Sequence, residues 1–547
     1  MKANLINIFE KSIHEAEIHV SGKHIARIEI LGPENPSLPY ILPGFTDAHV
    51  HVESSMLTPA QFARLAVVHG TIATVSDPHE IANVLGVEGV HFMINDGKRV
   101  PFKFCFGAPS CVPATVFETA GATVDADQVG RLLATDDIGY LAEVMNFPGV
   151  LHEDPDMMAK INWAKHYNKV IDGHAPGLRG EAAKQYASYG ISTDHECFTY
   201  EEAREKIDYG VKILIREGSA ARNFEALAPL VAEFPDRVMF CSDDKHPDNL
   251  VEGHINVLVK RALASGYDLW NVLQAACINP VLHYSLPVGL LREGDPADFI
   301  LIDHVGTFNI LETWIDGALV AQNGRSLLPD LRSEHLNHFE CGPKSADDFI
   351  LSAKNSEMQI RVIEALDGQL VTNELITEAK VVNGAVVPDV EKDVLKIVVV
   401  NRYSPGADAS APPAIAFIRN FGLKEGALAS SVAHDSHNII SIGCDDESIA
   451  RAVNLVIEAK GGLSAAGTNG EHVIALPIAG LMTDGDGYDV AESYTRLDQF
   501  VKNELGSTLK SPFMSLSFMA LLVIPSLKLS DKGLFDGENF KFTSVSL

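Results

Sequence analysis

The chain has 547 residues, 46% of them apolar and 21% charged, and its 73 acidic against 43 basic side chains leave a formal charge of −30. That length exceeds a single hydrophobic core and predicts two or three domains of an ordinary soluble globular protein. So acidic a surface repels phosphate backbones and excludes nucleic acid as a partner, while it accommodates small neutral or cationic ligands and divalent metals.

The seven cysteines are scattered, odd in number and form no C-x-x-C pair. Reduced thiols in a cytoplasmic protein are the reading. The N-terminal stretch "MKANLINIFEKSIHEAEIHV" carries charges throughout and lacks the apolar run of a signal peptide. The late segment "FMSLSFMALLVIPSL" is too short and too polar to span a bilayer, so no membrane is expected and a buried strand or helix is.

Taken in order, residues 15–40 alternate as small antiparallel strands, as in "EIHVSGKHIARIEIL". From about residue 44 strand, loop and helix repeat. Strands are predicted at 45–51, 71–76, 103–109, 138–145, 170–174, 190–195, 211–215 and 237–242. Helices such as "LTPAQFARLAVVHG", "DPDMMAKINWAKHY", "TYEEAREKIDYG" and "FEALAPLVAEF" fall between them. Eight βα units over 43–285 predict an α/β TIM (β/α)8 barrel. Residues 1–42 and 286–330 are expected to form one small β-sandwich from both flanks. After a polar connection near 332–348, a C-terminal α+β domain is expected over 345–547. "GGLSAAG" reads as a loop.

The chemistry begins at "PGFTDAHVHVESSMLTP". His49 and His51, at i and i+2 on a strand, point to one face and can reach one metal ion at about 2.1 Å each. A hydrogen-bonded histidine pair satisfies the same spacing. The other strand ends decide between them: strand 4 ends on Glu143, strand 5 on His174, strand 6 on His195 and strand 8 on Asp243. Buried charged and imidazole groups need partners, and this coincidence falls on the face where TIM-barrel enzymes place their sites. Imidazoles and carboxylates without thiolate suit Mn, Fe or Zn.

The order H-x-H, strand-4 acid, His, His, Asp resembles the amidohydrolase superfamily. The runs "TVSDPHEIANVLG", "PSCVPAT", "EVMNFPGVL", "DGHAPGL", "STDHE" and "SDDKHPD" are similar to those of its bacterial-type adenine deaminases, as are "AHDSHNI", "LPIAGLM" and "LLVIPSLKLSDKGL" near the C-terminus. Val116 and Ser526 depart from that pattern, which commonly has proline and glutamate there. The resemblance implies hydrolysis of adenine to hypoxanthine and ammonia at a binuclear Mn or Fe centre. It implies that His49, His51 and Asp243 hold one metal, His174 and His195 the second, and Glu143 both.

Such a metal pair acidifies water and supplies hydroxide to attack purine C6 at neutral pH. Asp243 is then placed to accept the water's proton and deliver it to the departing amine. Glu196 and Glu53 are candidates for the acid at purine N1, and equally for carboxylates that orient an imidazole. His79, Ser110, Glu217 and Ser219 are candidates for substrate contact, and His434 with His437 for a cap contributed by the C-terminal domain. Each has a plainer reading in packing or helix capping.

Another amidohydrolase reaction, on a cyclic amide or related N-heterocycle, is the alternative that the ligand set alone leaves open. A cytidine-type zinc deaminase is excluded by the missing P-C-x-x-C, and a non-catalytic scaffold is disfavoured because every ligand is present. A homo-oligomer, dimer or larger, is expected.

Overall fold

A computed structural model describes residues 1–355, 357–404 and 412–547. Eight strands form the barrel: β1 Phe45–His51, β2 Thr71–Ser76, β3 Lys103–Ala108, β4 Ile138–Val144, β5 Val170–Gly173, β6 Thr193–Asp194, β7 Lys212–Arg216 and β8 Val238–Cys241. Seven lie within one residue of their predicted bounds, the sixth is shortened from 190–195 to two residues, and all the pairings are parallel. β1 to β5 are consecutive neighbours, as are β6 to β8. A bridge between Ile171 and Ile191 joins the two groups. Asp243 and Asp244, just past β8, pair with Val50 and His51 of β1 and close the ring. The closure therefore sets a strand-8 carboxylate directly beside the H-x-H pair.

The helices start where their capping chemistry says they should. Asp154 accepts hydrogen bonds from the amides of Asp156 and Met157 ahead of Pro155–His166, and Thr199 caps Tyr200–Asp208. Proline in "FEALAPLVAEF" splits that segment into Phe224–Leu227 and Pro229–Glu233, because Pro229 has no N–H for a continuing helix.

The two flanks share one eight-stranded sheet. Tyr40–Pro43, which follows the N-terminal strands, pairs with Phe299–Ile302. Its N-terminal hairpin, Ser12–Ser21 with His24–Pro33, turns at Gly22, whose φ of 59° suits glycine. The sheet curls back on itself, with His24 bridged to Pro296, around a core of Leu5, Ile18, Ile41 and Phe299.

The C-terminal region is built on a second eight-stranded sheet, packed against the helices Asp446–Glu458 and Gly487–Asn503. "GGLSAAG" is not a loop. Gly462–Gly467 is a fully buried strand of that sheet, paired on both sides. Its small side chains let the helix Asp446–Glu458 lie close, and Ser464 donates to the carbonyl of Ala452. Among the described residues no helix is long and apolar enough to cross a membrane.

One polar network anchors the barrel under the site. Asp47 of β1 is fully buried and accepts from the Ser242 amide at 3.0 Å and from the His49 amide at 3.2 Å. It also pairs with Nε2 of His254 at 2.7 Å. Removing one member of a buried network strands the others. Asp47→Ala is expected to cost about 3 kcal/mol in urea unfolding; a change below about 0.5 kcal/mol would show the network to be dispensable.

Candidate metal centre and active site

Alternation along β1 turns His49 and His51 inward at the barrel mouth, and the other strand ends meet them there. Nε2 of His49 and Nε2 of His51 lie 3.2 Å apart. They stand 3.5 and 3.3 Å from Oδ1 of Asp243. Glu143 divides its two oxygens: Oε1 lies 3.5 Å from His51, and Oε2 lies 2.7 Å from Nδ1 of His174 and 3.1 Å from Nε2 of His195. The His195 ring also stacks on His49, with centroids 4.1 Å apart. All six side chains are buried.

Burial alone would raise the Glu143 carboxyl, but His174 and His195 outweigh it and hold it well below the carboxylate range. Burial likewise opposes ionisation of Asp243, and Arg216 with the two β1 histidines overrides it. His174, against the pull of its own burial, is pushed up to about 9 by Glu143 and Glu196. Two ring nitrogens, from His174 and His195, converge on one oxygen of Glu143 at 2.7 and 3.1 Å. Nδ1 of His49 and Nε2 of His174 have no hydrogen-bond partner among the described residues. A donor set of imidazoles and carboxylates at these spacings fits divalent transition metals.

The remaining predicted residues separate cleanly. Glu196 lines the pocket and is gripped by the Arg216 guanidinium through two contacts, one of them 2.9 Å. Glu53 sits behind the pocket wall, accepting from the Ile81 amide; burial, with Glu80 nearby, pushes its carboxyl up to about 8. His79 and His434 line the pocket. His79 lies 3.4 Å from Glu143, and its amide donates to Asp77 at 3.0 Å.

Ser110 faces away from the pocket, donating to the carbonyl of Glu143 at 2.5 Å and so fixing the end of β4. Glu217 turns outward to Arg261 at 2.7 Å. Ser219 lines a different cavity of about 430 Å³ between barrel and C-terminal domain. The "AHDSHN" segment is a turn rather than a helix, and of its two histidines it brings His434 to the pocket, together with Asp435. His437 is packed behind, its Nδ1 accepting from the Ala433 amide.

Residues missed in the sequence complete the site. Arg216, 1% exposed, bonds Asp243 at 2.6 Å as well as Glu196. The signal for it was strand alternation: at the end of β7 the inward residue is Arg216, so Glu217 points out. From the C-terminal domain, Leu370, Phe518, Leu521 and Val523 roof the pocket, and Phe518 stacks on His434 with centroids 5.0 Å apart. Only about 30 Å³ remains free beneath this roof, room for about one water and not for a heterocycle.

Lys528 is the strut of the roof. Its buried ammonium donates to the carbonyls of Leu370 at 2.6 Å and Phe518 at 2.9 Å, and burial pulls its pKa down to about 7. An unfolded lysine titrates near 10.4. Between about pH 7 and 10 the folded chain thus binds fewer protons than the unfolded one, so this group makes stability rise with pH. Lys528→Met is expected to flatten that rise in denaturation curves; an unchanged slope would remove Lys528 as its source.

A closed parallel barrel with an H-x-H pair, a strand-4 carboxylate, two further histidines and a strand-8 aspartate defines the class, and residues 40–320 match the amidohydrolase family, to which the chain belongs. Residues 369–541 match the adenine deaminase C-terminal domain. An adenine deaminase of Salinibacter ruber is 56% identical, covering 98% of this chain and 97% of that protein. Those of a Sulfurovum species and Methanosarcina mazei are 55% and 52% identical, each alignment covering 99% of this chain and 98% of the relative. Within the amidohydrolases, the chain falls among the adenine deaminases.

Proposed function

We propose that the protein is an aminohydrolase that converts adenine and water to hypoxanthine and ammonia at a pair of metal ions. The observation that carries this reading is the meeting of His49, His51, Glu143, His174, His195 and Asp243 in one buried cluster, in a chain that matches adenine deaminases from end to end. His49, His51 and Asp243 are assigned to one ion and His174 and His195 to the other, with Glu143 between them. Mn or Fe suits this set best, and Zn is compatible with it. When bound, the pair supplies Lewis acidity and brings the pKa of water toward neutrality.

The chain's own groups do the rest. Asp243, kept ionised by Arg216, accepts the proton of the hydrolytic water and passes it to the leaving amine. Glu196 is assigned to purine N1 as acid or hydrogen-bond partner, held in place by Arg216; Glu53, set behind the pocket wall, is assigned to the other role open to it, a carboxylate that orients an imidazole, here beside His51. His79 and His434 are assigned to the substrate edge. Phe518, Leu370, Leu521 and Val523 offer apolar surface to a flat base. The roof is assigned to covering adenine and excluding water from it.

We further assign residues 43–285 to a barrel domain, 1–42 with 286–330 to a flanking one and 345–547 to the capping one. A homo-oligomer of two or more chains is carried forward from chain size, and a cytoplasmic location from seven free thiols, five of them buried.

Incubating the manganese-loaded protein with adenine tests the function. Equimolar hypoxanthine and ammonia are expected. Protein that retains two metals and leaves adenine unchanged would transfer the assignment to hydrolysis of another cyclic substrate.

A further inference from the structure

Beside the six side chains assigned to the metal pair, a second group of ligating atoms converges where the barrel meets the C-terminal domain. Glu80, on the helix His79–Leu85 after β2, Asp244, just past β8, and His434, from the C-terminal turn, place one ligand atom each within 4.8 Å of one another. His434 Nδ1 lies 3.6 Å from Oε1 of Glu80, and its Nε2 lies 4.0 Å from Oδ1 of Asp244. Ser54, in the turn after β1, bridges the two carboxylates at 3.0 and 2.5 Å. Ligands bound at about 2.1 Å around one ion stand roughly 3–4 Å apart, and both His434 distances fall in that range.

Two observations separate this group from an ordinary acidic cluster. Glu80 is 0% and His434 is 4% exposed, and Oε2 of Glu80 and Nε2 of His434 have no hydrogen-bond partner among the described residues. Glu53 adds a further buried carboxylate beside Glu80. Yet none of these three acids forms an ion pair with a lysine or arginine among the described residues. The unpartnered oxygen of Glu80 and the unpartnered ring nitrogen of His434 are buried polar atoms that a bound cation would satisfy.

We propose that Glu80, Asp244 and His434 form a third divalent-cation site, distinct from the metal pair, whose ion ties the C-terminal domain to the barrel mouth. Two carboxylates, an imidazole and the Ser54 hydroxyl favour Mn2+ or Fe2+ over thiophilic ions. The tie joins four elements: the turns after β1 and β8 with the helix after β2 supply the barrel ligands, and the C-terminal turn supplies His434, on which Phe518 of the roof stacks.

The inference rests on the metal-pair reading, and counting metals separates the two. Chelated protein is reloaded with Mn2+, desalted and assayed for bound manganese per chain. Wild type is expected to saturate with one ion more than the pair, whereas Glu80→Gln and, separately, His434→Asn each lose one equivalent and keep the pair. Wild type saturating at two overturns the third site and leaves the pair intact; saturation below two overturns both. Variants that hold as much manganese as wild type overturn the ligand assignment. Should either variant not fold, the wild-type count still decides.

Discussion

Asp243→Asn is expected to lower kcat for adenine by about 10²–10⁴-fold while the protein stays folded. The amide keeps the shape of the side chain, but it has no charge for Arg216 to stabilise and cannot carry a proton from water to the leaving amine. Arg216 retains its bidentate partner Glu196, so no unpaired guanidinium is left buried and thermal unfolding should shift little. Steady-state rates at saturating manganese, alongside a melting curve, provide the check. A near-normal kcat would remove Asp243 from the chemistry, and a large melting shift would reassign it to holding the barrel closed through its pairing with β1.

The second large effect is on metal content. Glu143 has one oxygen toward His51 and the other toward His174 and His195, so one side chain serves both halves of the cluster. Glu143→Gln leaves the volume unchanged and removes the charge on which both halves converge. Supporting residues around metal sites typically contribute 10–100-fold in affinity, and loss of a direct bridging ligand is expected to cost at least about that much. Manganese binding at equilibrium should show both ions weakened together. Loss of one ion alone would mean that Glu143 serves a single metal, and unchanged affinity would mean that it serves neither.

The barrel was legible in the sequence because its signals are local. Apolar strand runs, proline and aspartate at helix starts, and βα spacing are each written within a dozen residues, and His49 with His51 follows from alternation alone. The same alternation at β7 turns Arg216 inward and Glu217 outward to Arg261. Ser110 and Ser219 were read as pocket residues because a strand-end loop fixes position but not direction; the hydrogen bonds to Glu143 and His246 turn them elsewhere.

What could not be read was long-range. Leu370, Phe518 and Val523 look like ordinary core residues, and nothing nearby in the chain says that they roof a pocket formed more than 100 residues earlier. "GGLSAAG" failed for a related reason: glycine and alanine signal turns by composition, but between two strands and under a helix they provide close packing. The convergence of Glu80, Asp244 and His434 likewise depends on how the C-terminal domain docks.

The central claim is that the strand ends of one barrel grip two metal ions, and crystals of the manganese-loaded protein test it directly. Anomalous diffraction at the manganese edge should place one peak among His49, His51 and Asp243 and another between His174 and His195, with Glu143 reaching both. A map with these side chains ordered and no anomalous density among them at saturating manganese would contradict the account.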